Sequence, residues 1–184
     1  MAFVDLARNR LVLKVVVAGP PAVGKTTRLE HVETEGRFAS FGSSVTGRTN
    51  MAVLSIEAEG ASRPVEIELY EWHGPERADV RSKALFTGLD GLVYVADARE
   101  DRFVDTVNQF EFLVKEAGAS RLRRLPGLLV LGQMDEGLLR LPTIEKRLQR
   151  GPTWSEKVSA DHEDAGAFLE ALKLFGELML ARIL

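Results

Sequence analysis

Gly19-Pro20-Pro21-Ala22-Val23-Gly24-Lys25-Thr26 has the residue types and spacing needed to hold a phosphate chain. It satisfies the pattern GxxxxGK[ST], whose glycines let the backbone turn tightly and bring its N–H groups onto phosphate oxygens. Donors would come from the amides of Gly19, Ala22, Val23 and Gly24, then from Lys25, Thr26 and Thr27 at a helix start. Lys25 would place a point charge on the outer phosphates, and the Thr26 hydroxyl is a hard oxygen ligand for Mg²⁺. Pro20 and Pro21 have no N–H, so they remove two donors and stiffen the loop. The bland alternative is a glycine-rich turn with a surface lysine. At average composition such a match arises by chance in roughly one chain in a hundred, and its setting between a strand and a helix argues further against chance.

The elements around the loop must present it at the end of a strand. Leu11 to Ala18 is a near-continuous β-branched run, as expected for a strand buried on both faces, and a helix should follow from about Lys25. Met51 to Ala58 and Pro64 to Glu71 read as strands joined by a hairpin at EGASR. Gly91 to Asp97 and Leu128 to Leu131 are further strands. Phe103, Val107, Phe110 and Val114 recur at helical spacing, as do Phe168, Leu172, Phe175 and Met179. The alternation predicts an α/β fold: one domain over residues 1–184, with a doubly wound, mostly parallel six-stranded sheet, one antiparallel strand and helices on both faces. Phosphates belong at the carboxyl ends of its strands.

Composition narrows the partners. A net charge of −3 gives no electrostatic reason to expect nucleic acid. The absence of cysteine excludes disulfides, thiolate nucleophiles and cysteine-based zinc sites. The start MAFVDLARNR lacks the pattern of a signal peptide, and Ala2 and the final ARIL lack those of lipid anchors. A cytoplasmic monomer is expected, with no direct membrane anchor, recruited to a membrane complex or cell pole only through partners.

Segments along nearly the whole chain carry a family resemblance. They are GPPAVGKTT, the pair Arg48-Thr49, LYEWHG, GLDGLVYVAD, LPGLLVLGQMD and FLEALKLFGELMLARIL. In order and spacing they resemble small Ras-like P-loop GTPases, most closely the bacterial MglA-like branch. The resemblance implies GTP or GDP with Mg²⁺ as ligands, a Roadblock-type GTPase-activating protein and effectors as partners, and a role in bacterial polarity or motility. It gives Thr49 the part of the switch I threonine, a Mg²⁺ ligand that senses the γ-phosphate, with Thr46 as a nearby rival. Gly74 matches the switch II glycine whose amide meets that phosphate. Asp135 matches the carboxylate that pairs with guanine, and the amides of Ser159 and Ala160 approach the guanine carbonyl.

Three departures bear on chemistry. Glu71 opens the switch II motif where the family has Asp or Thr, and would hold a Mg²⁺-bound water or else be solvated. Pro75 stands where a glutamine usually orients the attacking water, which predicts very slow intrinsic turnover. His73, Glu76 and Arg77 flank this gap, and Arg48, Arg63 and Arg77 are candidate arginine fingers. Finally, Gly132-Gln133-Met134-Asp135 replaces Asn-Lys-x-Asp. Losing the Asn removes a hydrogen bond to the purine edge and a brace between loops, while Gln133 replaces part of the lysine's packing over the base. The cost is about 2–3 kcal/mol, which predicts weaker binding and faster exchange. Trp72 and Trp154 read as core or half-buried packing, His31 and His162 as surface residues, and Arg121 to Arg124 as a solvated helix end. Two functions remain open, a guanine-nucleotide switch and a pseudo-GTPase scaffold. An ATP-using P-loop enzyme fits less well, because no arginine-rich lid is evident.

Overall fold

Successive side chains along the apolar central strands point to opposite faces of one sheet, and that sheet organises the molecule. The computed structural model describes residues 2–7, 9–35, 37–43, 47–56, 62–75, 84–132, 139–160 and 164–183, with the backbone alone for 33–35, 37–43 and 47–49. In chain order the elements are β1 (Phe3–Asp5), β2 (Arg10–Ala18), α1 (Lys25–Glu35), β3 (Arg37–Ser43), β4 (Gly47–Ile56), β5 (Val65–Glu71) and β6 (Gly91–Asp97). They continue with α2 (Phe103–Ala117), α3 (Ala119–Leu122), β7 (Pro126–Gly132), α4 (Leu141–Arg147), β8 (Thr153–Ser159) and α5 (Ala165–Leu180).

The sheet order is β3-β4-β5-β2-β6-β7-β8, with β1 paired to β2 off this path. Strands β5, β2, β6, β7 and β8 run parallel, and β4 lies antiparallel to β5 as the hairpin reading required. The α/β class and mostly parallel sheet expected from sequence are therefore present. The expected count of six strands and one antiparallel strand is corrected. Among the described residues the sheet has eight strands, because β1 adds antiparallel to β2 and β3 adds antiparallel to β4. Neither addition carries a clean period-two pattern: β1 is three residues long with Phe3 and Val4 exposed, and β3 reads RFASFGS. Backbone pairing from Arg37↔Val53 to Ser43↔Gly47 holds β3, not an apolar face of its own.

Two cores flank the sheet. On one face Leu13, Val15 and Val17 of β2, with Val93 and Val95 of β6, pack against Leu29 of α1 and Phe168, Leu172, Phe175 and Met179 of α5. On the other face Val16, Tyr94, Leu129 and Leu131 meet Phe110, Leu113 and Val114 of α2 and Ile144 of α4. Covering both faces is what a parallel sheet demands, and it fixes the carboxyl ends of β2, β5, β6 and β7 along one rim. The helix α5 starts on a capped turn, with the Asp164 carboxylate accepting from the Ala167 N–H at 3.1 Å.

Candidate functional site

The glycine-rich loop leaves the carboxyl end of β2 and enters α1 at Lys25. Gly19 has φ +150°, and a Cβ there would lie 2.2 Å from the carbonyl oxygen of Val95, so only glycine lets the loop cross β6 this closely. Ala22 (φ 60°) and Gly24 (φ 79°) are left-handed, which turns successive N–H groups towards a common concavity. Lys25 is 7% exposed, and its Nζ donates to Gly19 O at 3.0 Å and Pro20 O at 2.8 Å. Burial lowers the pKa of this ammonium, and the nearby Glu71 carboxylate acts against that shift. The lysine thus spans its own loop, bonded to the carbonyl of a proline that supplies no N–H.

Glu71, at the end of β5, is 3% exposed, so the solvated reading of this residue is excluded. Its carboxylate accepts from Thr26 Oγ1, which lies 2.9 and 3.0 Å from its two oxygens, and from Asn50 Nδ2 at 2.6 Å. His73 Nδ1 is 3.7 Å away. The extra methylene relative to aspartate carries the carboxylate onto the phosphate-loop threonine itself. Magnesium–oxygen bonds of about 2.0–2.1 Å put neighbouring octahedral ligands about 2.9 Å apart. The Thr26–Glu71 spacing of 2.9 Å matches that edge, and both are hard oxygen donors, so the pair fits Mg²⁺. Thr49 lies on β4 with its backbone opposite Phe41, ahead of Met51, where the strand was expected to begin; its side chain lies outside the described residues, as does Thr46.

Trp72 and His73 lead from β5 to Gly74, which is left-handed at φ 86°. A Cβ on Gly74 would sit 2.9 Å from Oε1 of Gln109, on α2. Among the described residues that oxygen is buried without a hydrogen-bond partner. Trp72 is 1% exposed and stacks on Phe112 with ring centres 6.1 Å apart, so the core reading of this tryptophan describes it. Pro75 follows Gly74 and is half-buried; Glu76 and Arg77 lie outside the described residues.

Beyond β6, β7 delivers Gly132 to the same rim. Gln133 and Asp135 lie outside the described residues. Ser159 ends β8 and is exposed, whereas Ala160 is buried and its N–H bonds to Leu131 O at 3.1 Å. Arg28 is 0% exposed. Its Nη1 donates to Val23 O at 3.0 Å and Gly24 O at 3.2 Å, and its Nη2 to Ala160 O at 2.7 Å. The guanidinium also lies 5.9 Å from the centre of the Phe168 ring.

The structure therefore brings Gly19, Ala22, Val23, Gly24, Lys25, Thr26, Thr27, Glu71 and Gly74 to the carboxyl rim of the sheet and sets Ala160 beside them through Arg28. Sequence reasoning missed Arg28, Asn50 and Gln109, which belong to no motif. Only the strand register, in which Met51 faces Tyr70, sets Asn50 next to Glu71. Trp154 packs half-buried against Tyr94 and Phe110. His31 is half-buried rather than on the surface, and His162 lies outside the described residues. Arg121, Arg123 and Arg124 of the basic helix end are exposed, as expected, and Arg121 donates to Phe86 O at 2.9 Å.

No protein-family model matches the chain. Over 122 residues it is 30% identical to the mutual gliding-motility protein MglA of Myxococcus xanthus, covering 61% of this chain and 62% of that protein. It is 26% identical over 111 residues to the Ypt/Rab-type GTPase ypt7 of Pyricularia oryzae, covering 59% and 52% of the two chains. To the Ras-related protein Rab7 of Pisum sativum it is 24% identical over 131 residues, covering 70% and 61%. The matched region is thus less than two thirds of each of these relatives. Sequence similarity and sheet topology both agree with a small Ras-like GTPase domain of MglA-like kind.

Proposed function

We propose that this chain is a guanine-nucleotide switch, binding GTP or GDP with Mg²⁺ at the phosphate loop and hydrolysing GTP slowly. The observation that carries the reading is the convergence of the Gly19–Lys25 loop with the Thr26–Glu71 pair on one rim of the sheet. The names of the relatives, MglA, the Ypt/Rab-type GTPase ypt7 and the Ras-related protein Rab7, support the same reading. Loop amides and the Lys25 ammonium bind the phosphates, with Nζ exchanging its carbonyl acceptors for phosphate oxygens. Thr26 and Glu71 hold the metal, which when bound neutralises charge on the phosphate oxygens. Asp135, with the Ser159 amide, selects guanine, the Ala160 N–H being engaged by Leu131 O. Pro75 offers no group to orient water, so rapid turnover depends on a partner. By the resemblance that partner is a Roadblock-type activating protein, acting with effectors in bacterial polarity or motility. The chain works in the cytoplasm and reaches a pole or membrane complex through those partners.

A second reading, a scaffold that holds nucleotide permanently or not at all, is favoured by Pro75 and by the satisfaction of Lys25 within its own loop. Nucleotide analysis separates both readings from an ATP-using enzyme, and a turnover assay with a candidate partner separates the switch from the scaffold. Freshly purified protein is denatured, released nucleotide is identified by chromatography, and labelled GDP, GTP and ATP are titrated with Mg²⁺. Guanine nucleotide bound at sub-micromolar affinity supports the switch. Preference for ATP, or no binding at all, refutes it.

A further inference from the structure

We infer that Arg28 is the positioning residue that ties the phosphate loop to the base-binding loop, its guanidinium lying against Gly132. This inference rests on the guanine-nucleotide reading and deepens it. Arg28 is fully buried, which is unusual for a cation and sustainable only with well-placed acceptors. Its acceptors include carbonyls of two loops far apart in sequence. Val23 and Gly24 belong to the phosphate loop, at 3.0 and 3.2 Å, and Ala160 to the loop after β8, at 2.7 Å. The planar fork of the guanidinium reaches both at once, which a point charge on a flexible stem does poorly. A Cβ built on Gly132 would lie 3.4 Å from Arg28 Nη2 and 3.4 Å from a Val23 methyl. These are ordinary contact distances, so a Cβ alone fits at 132, and it is the atoms beyond it in a larger side chain that would compete for the guanidinium's place. Where the usual motif has an asparagine that braces the loops, this chain has an arginine entering from α1. The loss of the asparagine's bracing is thereby made good, and only its bond to the purine edge stays lost.

The test is a two-site exchange. Arg28→Met, Gly132→Asn and the double variant are titrated with labelled GDP and ADP in Mg²⁺, alongside thermal unfolding of each protein. Arg28→Met is expected to weaken GDP binding about tenfold or more, since hydrogen bonds to a charged group are lost from both loops. Gly132→Asn alone should also weaken it, by crowding Nη2. In the double variant the asparagine has room to brace the loops, and GDP affinity should recover to well above that of either single variant. A purely structural role for Arg28 would lower the unfolding temperature without such recovery. Unchanged GDP affinity in folded Arg28→Met, or a double variant no better than the worse single one, overturns the inference while leaving the switch reading intact. If Arg28→Met does not fold, Arg28→Lys keeps the charge without the fork. Weaker GDP binding then supports the brace and unchanged binding overturns it. Wild-type protein that binds no nucleotide overturns both readings together.

Discussion

Asn50 donates from Nδ2 to Glu71 Oε2 at 2.6 Å, and the same carboxylate accepts from Thr26. The strand that carries Arg48 and Thr49 is thereby fastened to the residue that touches the phosphate loop. A buried carboxylate deprived of one such charge-assisted bond should cost about 1–3 kcal/mol. Asn50→Ala is expected to lose that much in urea unfolding and to regain part of it when Mg²⁺ and GDP are added. A loss below about 0.5 kcal/mol, the range of ordinary surface changes, would show that the contact is dispensable.

The Lys25 ammonium has its pKa lowered by burial from the ordinary 10.5. Above the lowered value the folded chain has already released this proton while the unfolded chain still holds it. The contribution of Lys25 to stability therefore rises with pH across that window and levels off above 10.5. Phosphate binding runs the other way, since it needs the charged form. GDP affinity measured from neutral pH upwards should fall before the ordinary lysine range is reached. In Lys25→Met it should be weak and flat across the same range.

Gly74 and Gln109 form a second sensitive contact. Gly74→Ala places a side chain in left-handed backbone, at about 1–2 kcal/mol. It also pushes a Cβ to 2.9 Å from Gln109 Oε1. Gln109→Leu, which removes a buried acceptor that has no partner among the described residues, should instead be neutral or stabilising by up to about 1 kcal/mol. Thermal unfolding of the two single variants checks both signs. A clearly destabilised Gln109→Leu would mean that the amide makes a bond this arrangement does not contain.

Pro75→Gln restores a group able to orient water beside Gly74. Single-turnover hydrolysis of GTP should quicken by about tenfold or more, because positioning is most of what such proteins contribute to this reaction. An unchanged rate, with nucleotide binding intact, would place the deficit elsewhere.

What the sequence made legible was whatever rests on local pattern. The loop spacing, the β-branched run of β2 and the apolar stripes of α2 and α5 each announce an element whose residues do one thing repeatedly. Gly91–Asp97 could be read to the residue because every position in it is buried. Thr153–Ser159 could not be outlined in the same way, since its residues alternate between half-buried and exposed with no apolar run. The site divides along the same line. Lys25 and Thr26 stand in a motif, whereas Arg28, Asn50 and Gln109 acquire their partners only through tertiary contacts. Arg28 and Ala160 are 132 positions apart, and no spacing rule reaches that far.

Trp72 stacks on Phe112 while its backbone N–H holds Val17 O at 2.9 Å, which seats the indole between the phosphate-side strand and α2. The chain has only two tryptophans, and the other, Trp154, packs on Tyr94 and Phe110 away from this junction. Emission from Trp72 therefore reports on the segment that leads into Gly74. With Trp154 replaced by phenylalanine, the protein becomes its own optical gauge of what happens at the rim, readable in real time without a label.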